Sequence, residues 1–95
     1  MAKSILIVDD DPVQRRLLGE IVAGAGFRPI SVDGGRSALA RLADRGEGDV
    51  DLVLLDLQMP DIDGIGVLER IKPDHPGLPV IVITAHAGID HVVRA

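Results

Sequence analysis

Four aspartates form the pattern in this chain that most plainly suggests chemistry. Asp9, Asp10 and Asp11 follow one short apolar run and Asp56 follows another. Carboxylates serve as hard oxygen ligands, as nucleophiles or as general acids and bases, depending on their surroundings. The two runs, residues 5–8 and 52–55, have strand character, so both acidic groups fall at strand ends. In open parallel α/β sheets, ligands bind beyond the carboxyl ends of the strands, where the strand order reverses. If the first and third strands are neighbours, Asp9, Asp10 and Asp56 converge at that edge. Clustered carboxylates repel one another and raise each other's pKa unless a cation intervenes. An all-oxygen site of this kind suits magnesium, which keeps exchangeable water positions that a phosphate can enter. Such a site would neutralise a phosphoryl group while Asp56 attacks it.

Taken singly, each aspartate has a plainer explanation. Asp11 precedes Pro12, which matches a helix N-cap followed by proline at the first helical position. Asp56 alone would read as a solvated strand end. It stands out because an acidic pair ends another strand, and three unpaired carboxylates at one edge are costly without a role.

The elements that must position these residues are legible in the apolar pattern. Residues 5–8, 52–55 and 80–83 are nearly continuous apolar runs, as in strands buried on both faces of a parallel sheet. Arg28–Val32 is a weaker strand, and Pro29 places it at a sheet edge. A first helix follows Asp11, with Val13, Leu17, Ile21 and Ala25 as its apolar stripe, widened by Leu18 and Val22, and with Gly24 and Gly26 as stop residues. A second runs over about residues 36–44, burying Ala38, Leu39 and Leu42, with Gly46 after it. A third carries Ile65, Leu68 and Ile71 and ends before Pro73. A fourth begins after Gly88, with Ile89, Val92 and Val93 on one side. Residues 46–49 and 73–79 read as loops. The alternation predicts an α/β fold, a doubly wound parallel sheet with helices on both faces.

Composition narrows the function. The 95 residues suit a single domain, and a 46% hydrophobic fraction suits a packed one. Phe27 is the single Phe, Trp or Tyr, so the core is aliphatic and the composition argues against stacking on bases or sugars. A net charge of −5 argues against direct nucleic-acid binding. The absence of cysteine excludes thiol chemistry and disulfides. No apolar run reaches membrane-spanning length and the start lacks a signal-peptide pattern, so a cytoplasmic protein is expected.

The segments ILIVDDDP (5–12), LVLLDLQMPDIDG (52–64) and PVIVITA (79–85) resemble, in order and spacing, the receiver domains of two-component response regulators. The middle segment is the most specific, with an aspartate, two residues, Met-Pro and a glycine four positions further on. The resemblance spans the chain. It implies a flavodoxin-like (CheY-like) fold of strand order 2-1-3-4, with residues 1–95 a single receiver domain lacking a fifth strand and helix. It implies Asp56 as phosphoacceptor, Asp10 as a direct Mg2+ ligand, Asp9 holding the ion largely through water, and the Gln58 backbone carbonyl as a further ligand. Thr84 would be the switch hydroxyl that turns to the phosphoryl oxygen, favouring one state of a bistable loop. The Gln58 and His86 side chains would tune the lifetime of the phosphoryl group. Met59 and Pro60 would shape the loop behind Asp56, and Gly64 would permit a turn. His75 and His91 are expected to face solvent. Residues 80–95 look most like receivers of NtrC-type regulators, which control an attached ATPase and DNA-binding region. The implied donor is a sensor histidine kinase or phosphotransfer protein.

The chain departs from the family in one respect. Receivers carry a lysine at the end of the fifth strand. Lys3 and Lys72 are the only lysines here, and neither follows a suitable strand. An incomplete domain would leave the fourth strand as an uncharged sheet edge, open to a homodimer or swapped oligomer. Two other functions compete with the regulatory switch. Haloacid-dehalogenase-type enzymes also form an aspartyl-phosphate, but they carry a second aspartate two residues after the nucleophile, where this chain has Gln58. A receiver-like interaction module that works without phosphorylation is the third reading, and magnesium binding separates it from the first.

Overall fold

A computed structural model describes residues 3–44, 50–56, 64–84 and 88–93. Along the chain lie β1 (Ser4–Val8), α1 (Pro12–Gly24), β2 (Arg28–Val32), α2 (Gly35–Ala43), β3 (Leu52–Asp56), α3 (Gly64–Asp74), β4 (Val80–Thr84) and β5 (Gly88–Val93). The sheet order is β2-β1-β3-β4-β5. The first four strands are parallel, in the expected 2-1-3-4 order. Pro29 lies in the edge strand β2, where a missing N–H costs least.

The strands carry apolar residues on both faces because helices cover both. Leu6, Val8, Val53, Leu55, Val80 and Val82 form one core with Ala38 and Leu42 of α2 and Val67, Leu68 and Ile71 of α3. Ile5 and Ile7 point to the opposite face and pack with Val22 of α1, flanked by Leu18, Leu52 and Leu54. This alternation at period two gives the doubly wound architecture.

Three sequence expectations require correction. First, Val13, Leu17 and Ile21 do not face the core: they are 68%, 54% and 67% exposed. The narrower stripe of Leu18 and Val22 meets the sheet instead. Both stripes are apolar, and among the described residues no second helix flanks α1 to cover the outer one. Val22→Ala is therefore expected to cost about 2 kcal/mol, from lost transfer energy and a residual cavity. Ile21→Ala should cost less than about 0.5 kcal/mol. Equal losses in chemical denaturation would contradict this facing.

Second, α3 runs through Pro73 to Asp74 rather than stopping before the proline. The proline falls in the last turn, and the His75 N–H still donates to the Ile71 carbonyl at 2.8 Å. The expected loop over residues 73–79 is correspondingly shorter. The neighbouring His75 is half-buried rather than solvent-facing.

Third, residues 88–93 form an antiparallel strand, not a fourth helix. Ile89, Val92 and Val93 are β-branched and suit either a helix stripe or a strand. Pairing along β4 satisfies backbone groups that a helix would leave open. This antiparallel strand covers β4, which is therefore not the exposed edge expected from the sequence; a fifth parallel strand is absent among the described residues. Val80 pairs with Val93 and Ile81 with Val92.

Helix ends follow local chemistry. Asp11 caps α1 as expected, accepting from the Val13 N–H at 2.9 Å and the Gln14 N–H at 3.4 Å. Beyond α1, Gly26 takes a φ of +92°, a left-handed conformation that turns the chain towards β2. Residues 46–49, read as a loop, lie outside the described residues.

Candidate metal and phosphoacceptor site

Strand register brings the acids together. Val8 lies opposite Leu55 across the parallel β1–β3 pair, so the next residue on each strand is Asp9 on one side and Asp56 on the other. Asp10 follows at once, since only three residues separate β1 from α1. One carboxylate oxygen from each of Asp9, Asp10 and Asp56 lies within 4.8 Å of the others. Asp9 is fully buried, Asp56 is buried and Asp10 is exposed.

Asp9 is the most constrained of the three. Its N–H donates to the Val32 carbonyl at 3.3 Å. Its Oδ1 accepts from the Asp11 N–H at 2.9 Å. Its Oδ2 is buried with no hydrogen-bond partner. Burial pushes the Asp9 carboxyl up to about 6, helped by the charges of Asp56 and Asp10 and by a side-chain contact with Asp56. The Asp11 N–H pulls the other way. A proton on Asp9, or a cation among the three acids, would relieve the cost of its buried, partnerless Oδ2. The donor set is all oxygen and partly open to solvent through Asp10, which fits a hard divalent cation that retains waters.

The structure thus unites Asp9, Asp10 and Asp56 as the sequence suggested. Thr84 ends β4, one register step beyond the Asp56–Ile83 pair, although its side chain is not among those described. Gly64 is the first residue of α3. Gln58, Met59, Pro60 and His86 lie outside the described residues, as does the side chain of His91 within β5. Sequence reasoning passed over Arg15, whose Nη1 donates to the Asp9 carbonyl at 2.8 Å. The available signal was a basic residue one helical turn beyond the Asp11 cap, at the base of the acidic cluster.

Comparison with known proteins places the family and the fold. The family model described as response regulator receiver domain matches residues 5–95. The DNA-binding transcriptional regulator NtrC of Salmonella typhimurium is 41% identical over 91 residues, covering 96% of this chain and 19% of that protein. The transcriptional regulatory protein GlrR of Escherichia coli K12 is 38% identical, covering 96% of this chain and 20% of its own length. Among solved structures, the response regulator TrrA of Thermotoga maritima, in complex with Mg2+-BeF, superposes with a TM-score of 0.80. It is 35% identical, and the match covers 90% of this chain and 71% of that one. NtrX of Brucella abortus, in complex with ADP, gives a TM-score of 0.79 at 38% identity, covering 92% and 20%. The chain belongs to the response regulator receiver domain family. It spans about a fifth of the length of the curated relatives it matches.

Proposed function

We propose that this chain is the phosphoacceptor module of an NtrC-like response regulator, with Asp56 as the acceptor and Mg2+ as its cofactor. The observation that carries this reading is the three-carboxylate cluster with a buried, partnerless Asp9 oxygen. The Mg2+-BeF complex of the TrrA relative supports it. Asp10, Asp56 and the Gln58 carbonyl would hold the ion directly, and Asp9 largely through water. When bound, Mg2+ supplies charge neutralisation for the carboxylates and for the phosphoryl oxygens.

In the proposed transfer, a carboxylate oxygen of Asp56 attacks the phosphorus of a phosphohistidine on a sensor kinase or phosphotransfer protein. The P–O bond to Asp56 forms as the P–N bond breaks. The electron pair stays on the imidazole nitrogen, which takes up a proton. The Thr84 hydroxyl would then donate to the new anion, biasing the β4 end towards one of two arrangements. The module is regulatory: it assists its own phosphorylation and dephosphorylation only. Among the described residues no helix is long and apolar enough to cross a membrane, and the proposed setting is the cytoplasm. The proposed output, by likeness to NtrC, is an attached transcriptional region.

Magnesium titration separates this reading from a receiver-like scaffold. Mg2+ at about 100 times its Kd should stabilise the chain by about 2.7 kcal/mol at neutral pH. Melting curves unchanged by saturating Mg2+ would favour the scaffold.

A further inference from the structure

Arg15 is a cationic side chain tied to the acidic cluster, and the atom it holds is informative. Its Nη1 donates at 2.8 Å to the carbonyl of Asp9. That carbonyl belongs to the peptide unit joining Asp9 to Asp10. A planar peptide leaves only ψ of Asp9 and φ of Asp10 to rotate the unit. Fixing the direction of this C=O fixes ψ of Asp9, and with it the orientation of the peptide plane from which Asp10 departs. The other polar groups of Asp9 are already held by the Val32 carbonyl and the Asp11 N–H, with Oδ2 left over. Arg15 is itself set by α1, where its N–H donates to the Asp11 carbonyl at 2.9 Å. A charge-assisted hydrogen bond is stronger than a neutral one and better suited to hold a strand end against repulsion between its acids.

We infer that Arg15 is a positioning residue for the divalent-cation site, setting the relative aim of Asp9 and Asp10 through the peptide between them. The inference rests on the proposed Mg2+-dependent acceptor role. Simple electrostatics predicts the opposite outcome, because removing a cation near the cluster should strengthen Mg2+ binding. The sign of the effect therefore separates positioning from charge. Arg16, 83% exposed and paired with Glu20 at 3.5 Å, supplies a control of equal charge on the same helix.

The test is calorimetric titration of Mg2+ into the chain and its Arg15→Ala, Arg15→Lys and Arg16→Ala variants, with metal-free melting curves alongside. Loss of a group that orients a ligand typically weakens metal binding by about 10- to 100-fold, so Arg15→Ala should raise the Mg2+ Kd at least about tenfold. Arg15→Lys, which keeps a charged donor, should stay within about threefold, and Arg16→Ala within about twofold. At saturating Mg2+, phosphoryl uptake by Arg15→Ala from a small acyl phosphate should return to within about threefold of the unsubstituted chain. A Kd unchanged or lowered in Arg15→Ala overturns the inference. So does equal weakening in Arg16→Ala, or a lysine variant as weak as alanine. If the unsubstituted chain binds no Mg2+, the acceptor reading itself falls, an outcome distinct from these.

Discussion

Asp56→Asn is expected to bring phosphoryl uptake from a small acyl phosphate below about 1% of that of the unsubstituted chain, because an amide lacks the nucleophilic carboxylate oxygen. The substitution is nearly isosteric, so the sheet should be retained. Asp56 ends β3 opposite Ile83 of β4, and neither the strand pairing nor the apolar core depends on its charge. Circular dichroism should therefore be unchanged while chemistry is lost. Mg2+ binding should weaken without vanishing, since Asp9 and Asp10 remain. The same substitution removes one of the charges that raise the Asp9 carboxyl. The Asp9 pKa should consequently fall, which NMR titration of its carboxyl carbon can follow. Undiminished uptake in Asp56→Asn would move the acceptor elsewhere.

Asp9→Asn should have the opposite effect on stability from an ordinary buried substitution. The Asp9 carboxyl is held at about 6 in the folded chain against an ordinary 3.8, chiefly by burial. Between those pH values the folded state keeps a proton that the unfolded state has released. This contribution to stability is full at low pH and is lost as pH rises through the window. That stabilisation is lost by about pH 7, the carboxyl of the folded chain being half ionised at about pH 6. Asparagine removes that penalty, still accepts from the Asp11 N–H and gains an N–H for the neighbouring carboxylate. Without divalent cations at pH 7, Asp9→Asn should therefore be more stable by about 1–3 kcal/mol, a Tm rise of at least about 5 °C for a domain of this size. The advantage should shrink to nothing near pH 4. Saturating Mg2+ should reverse the order, because the ion rewards the ionised carboxylate that asparagine lacks. Melts at pH 4 and pH 7, with chelator or with Mg2+, check all four corners. A variant less stable than the unsubstituted chain at pH 7 in chelator would contradict the assignment of Asp9 as a strained carboxylate.

Much of this was legible in the sequence because the strands are written in a simple code. Continuous Val, Ile and Leu runs demand cover on both faces, and Pro29 demands an edge; the sheet obeys both. The Asp9–Asp56 juxtaposition follows from strand order together with the position of each acid one step beyond its apolar run. Less legible was which of two apolar stripes on α1 meets the sheet. Val13, Leu17 and Ile21 share helical spacing with the true contact residues Leu18 and Val22, and only the packed sheet distinguishes them. Residues 88–93 illustrate a tertiary override. Their spacing fits a helix, but their β-branched residues and the pairing offered by β4 yield a strand. Arg15 escaped notice because its partner is a backbone carbonyl, which side-chain motifs do not reveal.

The most direct measurement is the intact mass of the chain after incubation with a small acyl phosphate, with and without Mg2+, followed by mapping of the modified peptide. A single added phosphate that requires Mg2+, is labile to hydroxylamine and maps to Asp56 is the predicted result. A phosphate on another residue, uptake indifferent to Mg2+, or no uptake by a chain shown to have Mg2+ bound would contradict the account.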